Sequence, residues 1–291
     1  MGFGLCFRFY GDNSIKNVIS QGQQLLTSGS DSALLDAQIL LSFALNKPHS
    51  FLFTWPEQLI TEQQLTHYIT LLTRRYQGEP IAYIIEEKEF WSLPLKVSPA
   101  TLIPRPDTET LIELVLKLYA DNEVKHCLDL GTGTGAIALA LAAENPRWHI
   151  EAVDFNHDVV SLAKQNALRL GLAHVQLYQS DWFSAVSAEK SFDIIVSNPP
   201  YIDEDDENLT QGDVRFEPKS ALVAHEQGLA DIRYITNNAM KYLVKGGRLF
   251  FEHGFEQGQT VRELLLKKGY KTPKTVQDLN GNDRITWAIR P

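Results

Sequence analysis

Asn198-Pro199-Pro200-Tyr201 is the segment of this chain best suited to chemistry. It follows Phe192-Asp193-Ile194-Ile195-Val196-Ser197, an apolar run that reads as a strand. Two successive prolines withdraw two backbone donors, so the neighbouring carbonyls are not drawn into a regular ladder. The Asn198 side-chain oxygen and the Pro199 carbonyl are then available to accept the two hydrogens of a substrate NH2 group. A conjugated NH2 is a poor nucleophile because its lone pair is delocalised. Two fixed acceptors orient it and favour the pyramidal, electron-rich form that develops during attack. Pro200 and Tyr201 complete the pocket, and the Tyr201 ring can cover the planar group from one face. The bland alternative is a strand-end turn.

A second cluster suits a nucleoside cofactor. Asp129-Leu130-Gly131-Thr132-Gly133-Thr134-Gly135 joins a short apolar run to a helix. The spacing is Gly-x-Gly-x-Gly, one residue short of the dinucleotide fingerprint, and no Gly-Lys-Ser/Thr ending makes it a phosphate loop. Asp154 ends the next strand 19 residues after Gly135 (154 − 135), where an acid accepts from ribose hydroxyls. A carboxylate at Asp129 favours a sulfonium and an ammonium over a pyrophosphate. S-adenosylmethionine is therefore expected rather than NAD. In Ser180-Asp181-Trp182-Phe183, Asp181 can accept from an adenine amino group and Trp182 can lie beside the base, although a core tryptophan is a fair rival.

These residues need elements to hold them. From His126 onward, apolar runs alternate with helical stretches, which predicts an open, mainly parallel sheet covered on both faces. Before Gly78 the pattern is helical. Asp31 is placed to cap a helix carrying Leu34, Leu35, Ile39 and Leu40, and Thr61-Glu62-Gln63-Gln64 fits a capping box. Leu65, Tyr68, Ile69, Leu72 and Tyr76 fall on one helix face, and core packing is expected for all of these apolar residues. Trp91, Leu93, Leu95 and Val97 alternate as a strand among Pro94, Pro99, Pro104 and Pro106. The expected division is a helical domain over 1–80 that docks a protein, a hairpin linker over 81–106, and an α/β domain over 107–291.

Composition excludes several classes. In 291 residues, Lys and Arg number 27 and Asp and Glu 36, so the net charge is 27 − 36 = −9. That balance disfavours binding nucleic acid through bulk charge. Cys6 and Cys127 are the two cysteines, too few for a disulfide framework or a zinc cluster, so no metal is expected and a reducing, cytoplasmic setting is. Met1 to Tyr10, with Arg8 inside it, lacks the form of a secretory signal, and Cys6 stands where myristoylation of Gly2 wants Ser or Thr. No apolar run approaches the ~20 residues of a membrane helix.

Taken together, the glycine loop, Asp154, Asp181-Trp182 and Asn198-Pro199-Pro200-Tyr201 resemble a class I methyltransferase of the amino-methylating group. Ile103-Pro104-Arg105-Pro106-Asp107-Thr108-Glu109, Gly212-Asp213-Val214-Arg215-Phe216-Glu217-Pro218 and Phe251-Glu252-His253-Gly254 are similar to the HemK/PrmC family, glutamine methyltransferases of peptide chain release factors. Asp36-Ala37 and Gly78-Glu79-Pro80-Ile81-Ala82-Tyr83 extend the likeness through the N-terminal domain. The resemblance implies a Rossmann-like seven-stranded α/β sheet with a reversed last strand near Ile285 to Ile289, and a small helical N-terminal domain that engages the release factor. It implies S-adenosylmethionine held by Gly131, Thr132, Gly133, Thr134, Gly135, Asp154, Asp181, Trp182 and Asn198. It implies the glutamine amide of a Gly-Gly-Gln motif held by Asn198, Pro199, Pro200 and Tyr201. Arg105 and Glu109 belong to a motif near that site. Ile85-Glu86-Glu87-Lys88 departs from a stretch that usually has a glycine, and residues 1–13 from the usual start. One rival is the sister enzyme for a ribosomal-protein glutamine, whose proline-arginine motif continues with Ser-Pro where Pro106-Asp107 follows here. A nucleic-acid adenine amino-methyltransferase is another, disfavoured by the acidic run Asp203 to Glu207. A non-catalytic binding module is the third, and the intact Asn198 motif speaks against it.

Overall fold

In a computed structural model the capping box at Thr61 is formed. Thr61 Oγ1 accepts from the Gln64 backbone N–H at 3.2 Å, and the Gln64 side chain accepts from the Thr61 N–H at 2.9 Å. The structure describes Phe7, residues 9–121 and residues 123–291. The expectations resting on Met1, Gly2, Cys6 and Arg8 lie outside the described residues. The chain forms two units, Met1–Glu86 with Thr210–Phe216, and Glu87–Leu209 with Glu217–Pro291.

The smaller unit contains α1 (Ile15–Leu26), α2 (Ala33–Leu45), α3 (His49–Thr54), α4 (Glu62–Tyr76) and α5 (Ile81–Ile85). Its core gathers Ile15, Val18, Leu40, Leu41, Tyr68 and Leu72. Two expectations for α2 are corrected. Ser32, not Asp31, holds the N-cap position, and Leu34 and Leu35 are 45% and 49% exposed. Tyr76, at the end of the α4 face, is likewise exposed. The α2 sequence is apolar nearly all round, so periodicity alone cannot choose its buried face. Asp36 chooses it. Its carboxylate is buried and accepts from Arg75 Nε at 2.7 Å, while Arg75 Nη1 donates to Asp213 Oδ1 at 3.0 Å. Gly78 lies against the same inserted segment. With φ +93°, a Cβ there would fall 1.7 Å from the Arg215 guanidinium.

In the larger unit, β1 (Glu87–Phe90) and β2 (Leu93–Lys96) form an antiparallel hairpin, and α6 (Glu109–Leu118) precedes the sheet. The main sheet uses β3 (His126–Leu130), β4 (His149–Asp154), β5 (Gln176–Gln179), β6 (Phe192–Ser197), β7 (Leu243–Glu252), β8 (Lys271–Gln277) and β9 (Asp283–Ile289). Its order is β5-β4-β3-β6-β7-β9-β8. β9 runs antiparallel to both neighbours, so the reversed strand expected near Ile285 is present. Adjacent residues feed opposite layers: Cys127, Ile194 and Phe250 enter one core, and Leu128, Ile195 and Phe251 the other. The Ala-rich α7 (Ala136–Glu144) and the amphipathic α8 (His157–Arg169) follow β3 and β4. A single turn, α9 (His225–Gly228), then α10 (Ala230–Ala239) and α11 (Gly258–Lys268) complete the set.

The expected linker over 81–106 is not a separate piece. Ile84 of α5 is buried in the helical core, whereas Phe90 and Leu95 of the hairpin are buried in the larger one. At the boundary between the two, Glu86 takes φ +58° and caps α5. Asn166 of α8 fastens the hairpin to the glycine loop. Its Oδ1 accepts from Lys96 N at 2.7 Å, and its Nδ2 donates to Lys96 O at 3.0 Å and to Thr134 O at 2.9 Å.

Candidate functional site

The strand order reverses between β3 and β6, and open sheets of this kind hold ligands beyond the carboxyl ends of the strands at such a reversal. A cavity of about 320 Å³ opens there. Gly131 to Thr134 line it after β3, Asp154 after β4, Asp181 and Trp182 after β5, and Asn198 and Pro200 after β6. The three glycines of the loop have different tasks. Gly133 has φ +56° and a Cβ there would meet nothing within 4 Å, so it keeps the cradle open. A Cβ on Gly131 would touch the Trp182 ring at 3.5 Å. Gly135 is not in the lining. It caps α7 with φ +86°, and a Cβ there would press on Leu139 at 2.9 Å.

Asp154 stabilises the loop as well as facing the cavity. Its Oδ2 accepts from Gly133 N and its Oδ1 from Asn156 N, both at 3.1 Å, and burial raises its pKa. Asp129 differs from expectation. It does not line the cavity; its carboxylate is wholly buried below the loop, where Oδ2 accepts from Thr132 Oγ1 at 2.6 Å. Burial pushes this acid up to about 7. Asp129 therefore braces the loop from below.

Trp182 holds a left-handed backbone, φ +46°, a conformation that costs a non-glycine residue roughly 1–3 kcal/mol and gathers at functional sites. Asn198 Nδ2 donates to Thr108 Oγ1 at 3.4 Å, which leaves its oxygen without that tie. Pro199 and Tyr201 stand outside the lining. Behind them, the Tyr201 carbonyl accepts from Gln257 Nε2 at 3.0 Å, and the Tyr201 hydroxyl is 3.5 Å from Glu252 Oε1. Arg105 lines the cavity and pairs with the buried Glu217. Glu109 does not; it accepts from Trp91 N at 2.9 Å and anchors the hairpin.

Sequence reasoning passed over Phe155, Thr108 and Asp231, which also line the cavity. Phe155 had a signal, an aromatic directly after the strand-end acid, and its ring is 57% exposed. Asp231 had none; it arrives from α10, and burial followed by Asp181 raises its pKa.

Two buried acids predict a pH dependence of stability. Asp129 and Glu252 are both pushed up to about 7 by burial. An acid whose folded pKa is raised holds its proton more tightly in the fold than in the unfolded chain. Its burial therefore opposes folding fully above about 7, and less as pH falls toward the ordinary carboxylate range. Asp129→Asn should gain melting temperature over the wild type at pH 8 and lose most of that gain at pH 5. The gain corresponds to roughly 1–4 kcal/mol. Thermal scans at the two pH values check it, and an equal gain at both contradicts it.

Residues 106–242 match the Methyltransferase small domain family, and residues 17–85 the PrmC N-terminal domain family. The release factor glutamine methyltransferase of Aliivibrio fischeri is 51% identical over 280 residues, covering 95% of this chain and 98% of that protein. The enzyme of the same description from Vibrio cholerae is 54% identical over 266 residues, covering 91% and 92%. A methyltransferase structure from Pyrococcus furiosus shares the fold with a TM-score of 0.52 at 19% identity, covering 75% of this chain and 96% of that one.

Proposed function

Since the chain belongs to the release factor glutamine methyltransferases, we propose that it places a methyl group on the side-chain amide nitrogen of the glutamine in a release factor's Gly-Gly-Gln motif. The enzyme is an S-adenosylmethionine-dependent transferase. That cofactor supplies an electrophilic methyl group when bound. The cavity suits it: about 320 Å³ falls in the range of small-ligand sites, Gly133 leaves the cradle open, and Phe155 and Trp182 offer apolar rings. Gly131 to Thr134, Asp154, Asp181 and Trp182 would hold the cofactor, with Asp154 accepting from the ribose.

One observation carries the acceptor chemistry. Asn198 lines the cavity with its amide nitrogen engaged by Thr108, which leaves the oxygen to accept from a substrate NH2. The Pro199 carbonyl accepts the second hydrogen, and Pro200 and Tyr201 bound the amide. A neutral amide needs orientation more than deprotonation, so no ionisable group acts as base during attack. The proton leaves afterwards, from a nitrogen made cationic and strongly acidic.

The helical unit serves as the docking surface for the release factor in this reading. Leu34, Leu35, Phe53 and Trp55 are apolar and 45–63% exposed there, which supports a docking role for this unit. Net charge −9 supports a protein partner over nucleic acid. Among the described residues no helix is long and apolar enough to cross a membrane. A release-factor substrate and the free, buried thiol of Cys127 support a cytoplasmic setting.

The test is to incubate the enzyme with labelled S-adenosylmethionine and purified release factor, ribosomal protein or DNA. Label is expected on the release-factor glutamine, located by mass spectrometry. Label confined to ribosomal protein or DNA overturns the reading. Asp154→Ala should weaken cofactor binding by roughly 1–3 kcal/mol by calorimetry, through lost ribose and Gly133 hydrogen bonds. Unchanged affinity removes its assigned role.

A further inference from the structure

Glu252 ends β7, next to β6, where Ser197 pairs with Phe251 just before the Asn198 motif. It is 1% exposed and does not line the cavity. We infer that Glu252 is a positioning residue for the methyl acceptor: together with Thr108 it takes the nitrogen end of the Asn198 amide and the Tyr201 hydroxyl from behind, so that the Asn198 oxygen is the end offered to the substrate.

Three observations lead there. Asn198 Nδ2 donates to Thr108 Oγ1 at 3.4 Å, and Tyr201 Oη donates to Glu252 Oε1 at 3.5 Å. Among the described residues Glu252 Oε2 is buried with no partner in hydrogen-bonding geometry, although the Thr108 hydroxyl and the Asn198 amide lie close enough to favour its charged form. A buried carboxyl is costly to keep and offers only acceptors when ionised, so it selects donors around it. An asparagine whose neighbours on one side are a hydroxyl and a carboxylate turns its NH2 to that side and its oxygen to the other. All these contacts are long. Catalytic hydrogen bonds without substrate are commonly loose and tighten when it binds.

The groups facing Glu252 are Asp107 and Thr108 from the turn before α6, Asn198 and Tyr201 from the loop after β6, and Arg284 from β9. Burial pushes the acid up to about 7; Thr108, Arg284 and Asn198 pull it down, and Asp107 pushes it further up. Ionised, Glu252 accepts from its neighbours. Protonated, it becomes a donor and competes for the Thr108 oxygen that holds Asn198. Turnover should therefore rise as pH climbs through about 7.

The proposal rests on the reading of the chain as a glutamine methyltransferase. The experiment uses the full chain at saturating S-adenosylmethionine, with release factor as acceptor, in the wild type, Glu252→Gln and Thr108→Val. Asp129 is also pushed up to about 7, and saturating cofactor keeps its effect on cofactor affinity out of kcat. Each variant should lose roughly 10–100-fold in kcat and change cofactor Kd less than about twofold. Glu252→Gln should also lose the rise of kcat through neutral pH, which a merely structural substitution would leave in place. Wild-type kcat in Glu252→Gln, or an unchanged pH profile, overturns the proposal while the functional reading stands. Wild-type enzyme that leaves the release factor unlabelled overturns that reading and the proposal with it. Should Glu252→Gln fail to fold, Thr108→Val decides: wild-type turnover there overturns the proposal, and the expected loss supports it.

Discussion

Asn198→Ala is expected to cut single-turnover methyl transfer by on the order of 10²-fold or more while leaving cofactor affinity nearly unchanged. In the proposed mechanism the substitution removes one of the two acceptors for the substrate amide, so the NH2 group regains rotation and its lone pair returns to conjugation. Removing the side chain also strips Thr108 Oγ1 of its donor at 3.4 Å. Asn198→Asp should be impaired but not inactive. Its carboxylate can accept the substrate hydrogen, yet it cannot donate to Thr108, and it adds a second acid beside the buried Glu252. Single-turnover assays on a glutamine-containing release factor, with parallel calorimetry, read both variants. Near wild-type rates in Asn198→Ala would make the motif a structural turn and the mechanism wrong.

Gly228→Ala should be nearly as severe, although Gly228 does not line the cavity. Glu226, Gln227 and Gly228 are three successive residues with left-handed backbone, φ +57°, +58° and +77°. They bring the chain so close to the Asn198 motif that a Cβ on Gly228 would lie 2.0 Å from the Tyr201 carbonyl oxygen. Backbone atoms cannot yield as a flexible side chain does, so the loop carrying Tyr201 has to move. Displacements near 1 Å in a reacting geometry cost on the order of 10²-fold in rate. The positive φ adds roughly 1–2 kcal/mol of strain for any L side chain. Turnover and melting temperature should both fall, whereas Gly171→Ala, with φ +72° and open space around its Cβ, should lower stability alone. Equal rates for the Gly228 variant and the wild type would show that the Tyr201 backbone is not part of the positioning.

The parts of the site that were readable in the sequence are those set within a few residues of a strand end. Gly131 to Gly135, Asp154, Asp181-Trp182 and Asn198 each lie at or within a few residues of a strand's carboxyl end, and a parallel sheet brings those ends together whatever its helices do. What could not be read depends on closure between distant segments. Thr108 and Glu252 reach Asn198 from 90 and 54 positions away (198 − 108; 252 − 198), and no local spacing reports that. Asp129 was read as a carboxylate beside the loop that favours a cationic ligand, and its burial beneath the loop was not legible, because strand alternation gives two faces but does not say which one lies under the loop. Leu34 and Leu35 were read as core because α2 is apolar on every side, and the deciding contact, Asp36 with Arg75, is tertiary. Glu86 takes a left-handed backbone, φ +58°, at a residue type that does not announce it.

Residues 210–216 bear on how this protein can be recombined. They are encoded within the α/β sequence but fold with Met1–Glu86, where Asp213 meets Arg75 and Arg215 lies against Gly78. The helical unit is thus discontinuous in the gene. A chimera that exchanges only the first 86 codons with a relative would pair a foreign Arg75 and Gly78 with the resident heptapeptide. A truncation that begins near Ile81 would leave that heptapeptide with no surface of its own. The heritable cassette for the helical unit is two segments, and a swap that preserves it has to carry both.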